Sequence, residues 1–251
     1  MIEIEEIINI EKEPYEIFIH LITWLNEVAK SPWWEDKRKK IEDIRKEFKC
    51  NGRTISSLYE TPIKEAINWY FKGSDYYEGI DTDTKLNEWY DYAIKSIKSI
   101  TRIIYELNIK VSEGDAPDNL SSMAGVCKAL TGNIGPNKFP CTKTKEDLKY
   151  ILKNLKTGSD YYLIYYDKKN NEFWWSSLKR LIVVVPNPSN KPFQIKPNDN
   201  RYWSEIGEKG EVEAMKYLLE ILQKSFKNDI DDELNTLFEI AFEKINTTGK
   251  I

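Results

Sequence analysis

Apolar residues recur at alternating spacings of four and three across residues 86–107, and no other feature of the chain constrains its fold as strongly. This spacing places the apolar side chains on a single face of an α-helix. Further apolar residues flank the seam and widen the stripe. The pattern predicts one uninterrupted helix at the centre of an intramolecular bundle, with a dimeric zipper as the alternative. The seam consists of Leu86, Tyr90, Ala93, Ile97, Ile100, Ile104 and Leu107.

Other helix signals precede this segment. An apolar stripe over residues 18–28 has the helical period. A Ser-Pro step at Ser31 and a Thr-Pro step at Thr61 have the order of an N-cap followed by proline at the first helical position. Residues 1–110 are therefore predicted to form a helical bundle.

The middle of the chain, residues 111–186, is predicted to be an α+β segment. Residues 161–166 and 173–176 are rich in aromatic and β-branched side chains, which is typical of strands. The polar residues 168–171 between them predict a hairpin loop. Residues 180–185, which end in the apolar run 181–185, predict a further strand, so the segment is expected to carry a three-stranded antiparallel meander.

Residues 186–203 contain four prolines. Because proline interrupts helices and central strands, residues 187–203 are predicted to form a linker. Residues 204–251 then carry two amphipathic stripes. These predict a helical hairpin whose apolar faces need a partner surface. The chain as a whole is predicted to be α+β and helix-rich, with an N-terminal helical bundle, a small antiparallel β-meander and a C-terminal helical hairpin.

The composition is that of a globular protein. Hydrophobic residues make up 41%, charged residues 31%, and the net charge is −4. No apolar run approaches the roughly 20 residues of a membrane helix, and the acidic residues 1–13 differ from the basic start of a secretory signal. We therefore expect a cytoplasmic protein with no membrane partner and with reduced cysteines. The abundance of Lys, Glu and Ile suits a thermophile, although AT-rich coding gives the same bias.

The chain lacks residues that several catalytic chemistries need. His20 is the only histidine, which excludes a Ser-His-Asp triad or a multi-histidine metal site within one chain. No phosphate-binding glycine motif occurs. Asp81 and Asp83 are spaced like the start of a calcium loop, but Lys85 stands where that loop needs an oxygen ligand. We therefore predict no catalytic residue, no metal site and no cofactor.

Aromatic rings and cations are concentrated on the predicted meander. Bases stack on exposed rings and flanking cations hold phosphates, so this combination is typical of a nucleic-acid-binding surface. Adjacent strand residues face opposite sides of a sheet. We therefore expect one of Trp174 and Trp175 to be exposed and to contact a base, while the other packs inward. Packing of these rings against helices is the alternative. The candidate nucleic-acid-binding residues are Tyr162, Tyr166, Trp174, Trp175, Lys168, Lys169, Lys179 and Arg180.

Residues 206–218, with the sequence IGEKGEVEAMKYL, carry a second signal. This segment resembles the opening helix of restriction-type PD-(D/E)xK nucleases, in which a glycine–glutamate step precedes Ala and Tyr-Leu. The resemblance implies a metal-dependent nuclease with an Asp on one strand and an acidic-x-Lys motif on the next. Only helix-like sequence follows the segment here, so the resemblance implies a truncated or accessory part of a restriction-like system.

Together these features favour a non-enzymatic nucleic-acid-binding module, the recognition or accessory part of a DNA-processing or restriction-like defence system. The alternative is a protein-interaction scaffold that docks a partner through the C-terminal hairpin. A metal-dependent nuclease ranks third, because the required strand motif does not follow the nuclease-like helix.

Overall fold

A computed structural model describes residues 14–49, 52–81, 90–97, 104–113, 118–120, 123–133, 145–189, 191–201 and 210–248. These residues form an α+β, helix-rich protein, as predicted. The chain divides into two compact units, each assembled from segments that are distant in sequence. Unit 1 comprises Met1–Thr84, Tyr90–Gly114 and Leu163–Trp175, and unit 2 comprises Lys85–Trp89, Asp115–Tyr162 and Ser176–Ile251.

Unit 1 begins with three helices, α1 (Pro14–Ala29), α2 (Pro32–Phe48) and α3 (Gly52–Phe71). The N-cap predicted for α2 is confirmed, because the Ser31 hydroxyl accepts a hydrogen bond from the Trp34 N–H at 3.2 Å. The helix start predicted at Thr61 is wrong, since Pro62 lies inside α3. A proline within a helix costs about 3 kcal/mol. The packing of α3 against α1, α2 and two strands of unit 1 offsets this cost.

The single helix predicted for residues 86–107 is wrong. Two strands, β2 (Tyr92–Ser96) and β3 (Ile104–Ser112), lie in or extend from this part of the chain, and β1 (Tyr77–Asp81) precedes it. β2 pairs antiparallel with both β1 and β3. Tyr92, Ala93 and Ile94 are all buried, so β2 is covered on both faces and shows no strand-like alternation. Ile97, which the helix would have buried, is 51% exposed. The remaining residues of the predicted helix, 86–89 and 98–103, lie outside the described residues.

A hairpin formed by β5 (Tyr162–Asp167) and β6 (Glu172–Ser177) completes a five-stranded sheet in the order β1-β2-β3-β5-β6. The hairpin loop at residues 168–171 is confirmed. The Lys168 N–H, just after β5, donates to the carbonyl of Ser112, the last residue of β3, so these two strands run in the same direction. The edge strand β6 is tied to α1 within unit 1, because the Asn26 amide bonds the backbone N–H and carbonyl of Phe173.

A second, three-stranded sheet lies in unit 2. It consists of β4 (Asp118–Leu120), β8 (Phe193–Ile195) and β7 (Val184–Pro186), in that order and antiparallel. The predicted three-stranded meander is therefore wrong in its last member, because β7 pairs with β8 and not with the hairpin. The segment predicted as a linker contains β8 and the short helix α6 (Pro197–Asn200). The buried Asn200 side chain accepts the Ile182 and Val183 N–H groups, and this anchors the segment.

The remaining helices of unit 2 are α4 (Met123–Thr131), α5 (Lys145–Lys153), α7 (Glu211–Ser225) and α8 (Asp232–Thr248). The last two form the predicted C-terminal hairpin. Its apolar faces are covered within unit 2, because α7 packs on β7 and β8 while α8 packs on α5. Leu218, Leu222, Phe238 and Ala241 are at most 1% exposed. The helices in the described part of the chain include none with both the length and the apolar character to span a bilayer.

Candidate functional site

The open end of the β5–β6 hairpin brings polar side chains together in unit 2. The Leu178 N–H donates to the Tyr161 carbonyl at 3.0 Å, which holds the residues before β5 beside the 3₁₀ turn (Leu178–Arg180) that follows β6. Asp160 therefore lies next to Ser177, the last residue of β6, and next to Lys179 in the turn.

The Asp160 carboxylate is held by three hydrogen bonds. It accepts one from the Ser177 hydroxyl at 2.5 Å, one from the Tyr161 N–H at 2.8 Å and a longer one from the Lys179 N–H at 3.4 Å. Loss of solvation raises the pKa of Asp160 above its ordinary value, although the Lys179 charge and the Ser177 hydroxyl act in the opposite direction. The site thus contains a carboxyl group that takes up a proton more readily than an exposed aspartate does.

Lys179 joins this carboxylate to a second one. Its side chain is only 7% exposed, and its ammonium lies 2.5 Å from Glu211 Oε1 at the first residue of α7. The same Glu211 oxygen accepts the Gly158 N–H at 2.7 Å. Gly158 has a positive φ of 81°, a conformation that glycine adopts without strain. One lysine therefore lies between two carboxylates contributed by the hairpin and by α7.

These groups surround a recess of about 290 Å³, which we call the hairpin recess. Small-molecule sites usually measure about 300–1,000 Å³, so the recess suits a compact polar group or part of a nucleotide. The hairpin recess is lined by Gly158, Ser159, Asp160, Tyr162, Lys179, Arg180, Glu211 and Ala214.

Three of the eight residues predicted to bind nucleic acid meet in the hairpin recess. Tyr162 and Arg180 are partly exposed there, and Lys179 forms part of the wall. They form one group in the sequence because they lie in or beside the same predicted strands. In the structure they meet at the open end of the hairpin, where β5 begins and β6 ends, and not on a face of the sheet.

Three of the four aromatic residues predicted to form the binding surface, Tyr166, Trp174 and Trp175, are core residues. Trp174 is 7% exposed and stacks on Tyr165, with 4.1 Å between ring centroids, while Trp175 is 6% exposed and stacks on Phe18 at 5.0 Å. The expectation that one of these two tryptophans is exposed is therefore wrong. Tyr166 is fully buried as well, and its hydroxyl accepts the Trp34 indole N–H at 3.2 Å. Both faces of the hairpin are covered, which leaves no open ring platform at these positions.

The two remaining candidates lie in the hairpin loop of unit 1. Lys168 pairs with Glu113 at 3.1 Å, and this contact lowers the pKa of Glu113. Lys169 is exposed. Neither residue lines the hairpin recess.

The carboxylates and the hydroxyl of the site are not among the residues predicted from the sequence. Asp160 belongs to a Gly-Ser-Asp-Tyr-Tyr pentapeptide that occurs twice in the chain, at residues 73–77 and 158–162. Glu211 lies in the segment that resembles nuclease helices. Only the fold joins Asp160, Ser177 and Glu211, because no local pattern links residues so distant in sequence.

Among the residues that the structure describes, the buried cysteine and the possible metal ligands give no competing site. Burial raises the pKa of the Cys127 thiol, which makes it a poor nucleophile. In the described part of the chain, no three His, Cys, Asp or Glu side chains are grouped so that they could hold a metal ion. No family model and no curated protein sequence matches this chain.

Proposed function

We propose that the protein is a nucleic-acid-binding module, the recognition or accessory part of a DNA-processing system, and that the hairpin recess receives one nucleotide of the bound strand. The observation that carries this proposal is the meeting of Tyr162, Lys179 and Arg180 in one recess. A ring beside two cations supplies the two interactions that nucleic acids offer everywhere along a strand, base stacking and phosphate contact.

The three residues have different roles in this proposal. Arg180, partly exposed at the recess, contacts a phosphate, for which a planar guanidinium with several donors is well suited. Tyr162 provides a ring face for the base or the sugar. Lys179 is neutralised by Glu211 and therefore adds less to the attraction of a polyanion than its charge suggests. It instead keeps the carboxylates in place.

The carboxylates make binding depend on pH. A negative Asp160 repels a phosphate that enters the recess, whereas the protonated form does not. Because the pKa of Asp160 is raised, the neutral form is present at a higher pH than for an ordinary aspartate. Binding should therefore strengthen as the pH falls toward the pKa of this group.

The test is a titration of labelled single- and double-stranded oligonucleotides with the whole protein at low and moderate salt. Tyr162→Ala should weaken binding by about 1–3 kcal/mol, the usual contribution of a stacked base, and Tyr162→Phe should retain it. Arg180→Gln should reduce the slope of log affinity against log salt by about 1. Lys169→Gln removes the same charge from the hairpin loop and serves as the matched control. The absence of binding at low salt by the wild-type protein would refute the proposal.

A second candidate function, metal-dependent cleavage of nucleic acid, is favoured by one further observation. Asp160 precedes β5, Lys179 follows β6, and Glu211 opens the helix α7, which lies within the nuclease-like segment. An Asp at one strand and a Lys at the next is part of what that resemblance implies, although the resemblance places both strands after the opening helix and here they precede α7. Ser177 lies two residues before Lys179, at the position where the acidic-x-Lys motif has its acidic residue. The second carboxylate beside Lys179 comes from Glu211.

The residues present do not fit a metal ion as they are arranged. Asp160 is engaged by Ser177, and Glu211 is paired with Lys179. Incubation of a supercoiled plasmid with the protein and Mg²⁺ tests this candidate. Cleavage that EDTA and Asp160→Asn both abolish, in a variant that melts like the wild type, would establish it, and an intact plasmid would leave the protein a binding module.

A further inference from the structure

A second recess in unit 2 lies near the opposite end of α7 from the hairpin recess. It has a volume of about 560 Å³, and we call it the proline–lysine groove. Pro186, Pro188 and Ile230 provide apolar contacts, while Lys224, Lys227 and two amide side chains provide polar ones. The amides belong to Gln223 and Asn235.

The two lysines give the groove a positive charge. Lys224 and Lys227 are exposed, and among the residues that the structure describes no carboxylate lines the groove and none forms an ion pair with either lysine. Several acidic residues that follow along the chain are paired with other lysines. Asp229 bonds Lys191, Asp231 bonds Lys145, and Glu233 bonds Lys149.

The groove and the hairpin recess are joined by one rigid element. Glu211 lines the recess and Lys224 lines the groove, and both belong to α7. At 1.5 Å per residue these positions are about 20 Å apart along the helix axis. This distance corresponds to about six base pairs of duplex at 3.4 Å per step. A mononucleotide cannot reach both positions, so a ligand that contacts both has to be a polymer.

We propose that the proline–lysine groove is a second contact for the sugar–phosphate backbone of the nucleic acid that enters the hairpin recess. This inference rests on the proposed function. Lysines and side-chain amides are common donors to phosphate oxygens, and such contacts fix the register of a protein on a strand without reading sequence. The apolar floor of prolines and Ile230 lies against the sugars.

The test compares three forms of the whole protein on a labelled duplex long enough to span both positions, over a series of salt concentrations. The wild type is compared with Lys224→Gln/Lys227→Gln and with Lys39→Gln/Lys46→Gln. The control removes two exposed lysines from α2 in unit 1, so the loss of charge is the same. Each phosphate contact contributes about 0.9 to the slope of log affinity against log salt. The groove variant should therefore lose about two units of slope, while the control keeps the wild-type slope.

The outcomes separate this inference from the proposed function. A wild-type protein that binds the duplex, together with a groove variant of unchanged slope and affinity, would overturn the inference alone. A wild-type protein that fails to bind at low salt removes both. Competition by polyglutamate as effective as by unlabelled duplex, lost in the groove variant, would mean that the groove takes acidic peptides and would also overturn the inference.

Discussion

Replacement of Lys179 by Met should destabilise the protein and leave two carboxylates without their shared cation. The methionine keeps the length of the side chain and removes the ammonium that lies 2.5 Å from Glu211 Oε1. Breaking a fully buried ion pair costs about 3–5 kcal/mol, because the remaining charge is left uncompensated. Lys179 is 7% exposed, but the Glu211 side chain is 39% exposed and regains water. We therefore expect a smaller loss, about 2–3 kcal/mol at neutral pH.

The loss should depend on pH with a definite sign. Because the pKa of Asp160 is raised by folding, ionised Asp160 lowers the stability of the native state at pH values above its folded pKa. That cost disappears as the pH falls through the folded pKa toward the ordinary value of 3.8. Lys179→Met removes a charge that favours ionised Asp160. The deficit of the variant should thus shrink on acidification.

Denaturant unfolding at neutral and mildly acidic pH measures both effects, and Asp160→Asn provides the control. In a double-mutant cycle, the asparagine should restore part of the stability lost in Lys179→Met, since it removes the uncompensated charge. A Lys179→Met variant as stable as the wild type would refute the reasoning. So would a deficit that is the same at every pH and in both aspartate and asparagine backgrounds.

Ile97→Asp should change the free energy of unfolding by about 0.5 kcal/mol or less, because Ile97 is half-exposed. Ile94→Asp should lower it by several kcal/mol, because Ile94 is buried in the same strand region. Chemical denaturation measures both variants. Trp174→Ala and Trp175→Ala should each cost about 3–5 kcal/mol in the same assay, and a tryptophan whose removal leaves stability unchanged would contradict its burial. Oligonucleotide affinity should rise as the pH falls in the wild type and stay flatter in Asp160→Asn, and equal pH profiles would exclude a role for this carboxyl.

The helices at the start of the chain were predictable because their signals are local. Ser31 and Pro32 define the start of α2 through backbone chemistry within one turn. The strands at Tyr92–Ser96 and Ile104–Ser112 were mispredicted as a helix, because the spacing of their apolar residues matches the helical period. What makes them strands is pairing with β1 and with each other, and a window of local sequence does not contain that information.

The aromatic surface was mispredicted because a doublet on a strand does not report how many faces of the sheet are covered. Trp174 and Trp175 point to opposite faces, and both faces are buried. The Trp33-Trp34 doublet on α2 shows the arrangement that the sequence predicted for Trp174 and Trp175, with one ring buried and one ring accessible. Trp34 is fully buried, while Trp33 is partly exposed. Trp33 packs on Trp69, which is 42% exposed, with 4.5 Å between ring centroids.

The hairpin recess was only partly predictable for a related reason. Lys179, Arg180 and Tyr162 are near one another in sequence and were identified as one group. Asp160 and Glu211 join them through the closing of the hairpin and the position of α7, which depend on the packing of unit 2. Gly158 and Glu211 are more than 50 residues apart in the sequence. The local composition around either residue therefore does not predict their contact.

The most direct test of the central claim is the salt-dependent titration of a labelled duplex and a labelled single strand with the wild type, Arg180→Gln and Lys169→Gln. The account predicts binding by the wild type at low salt, a slope reduced by about 1 in Arg180→Gln, and a wild-type slope in Lys169→Gln. Wild-type binding with equal slopes in all three forms would contradict the placement of the site at the hairpin recess. No binding at low salt to either oligonucleotide would contradict the claim that the protein is a nucleic-acid-binding module.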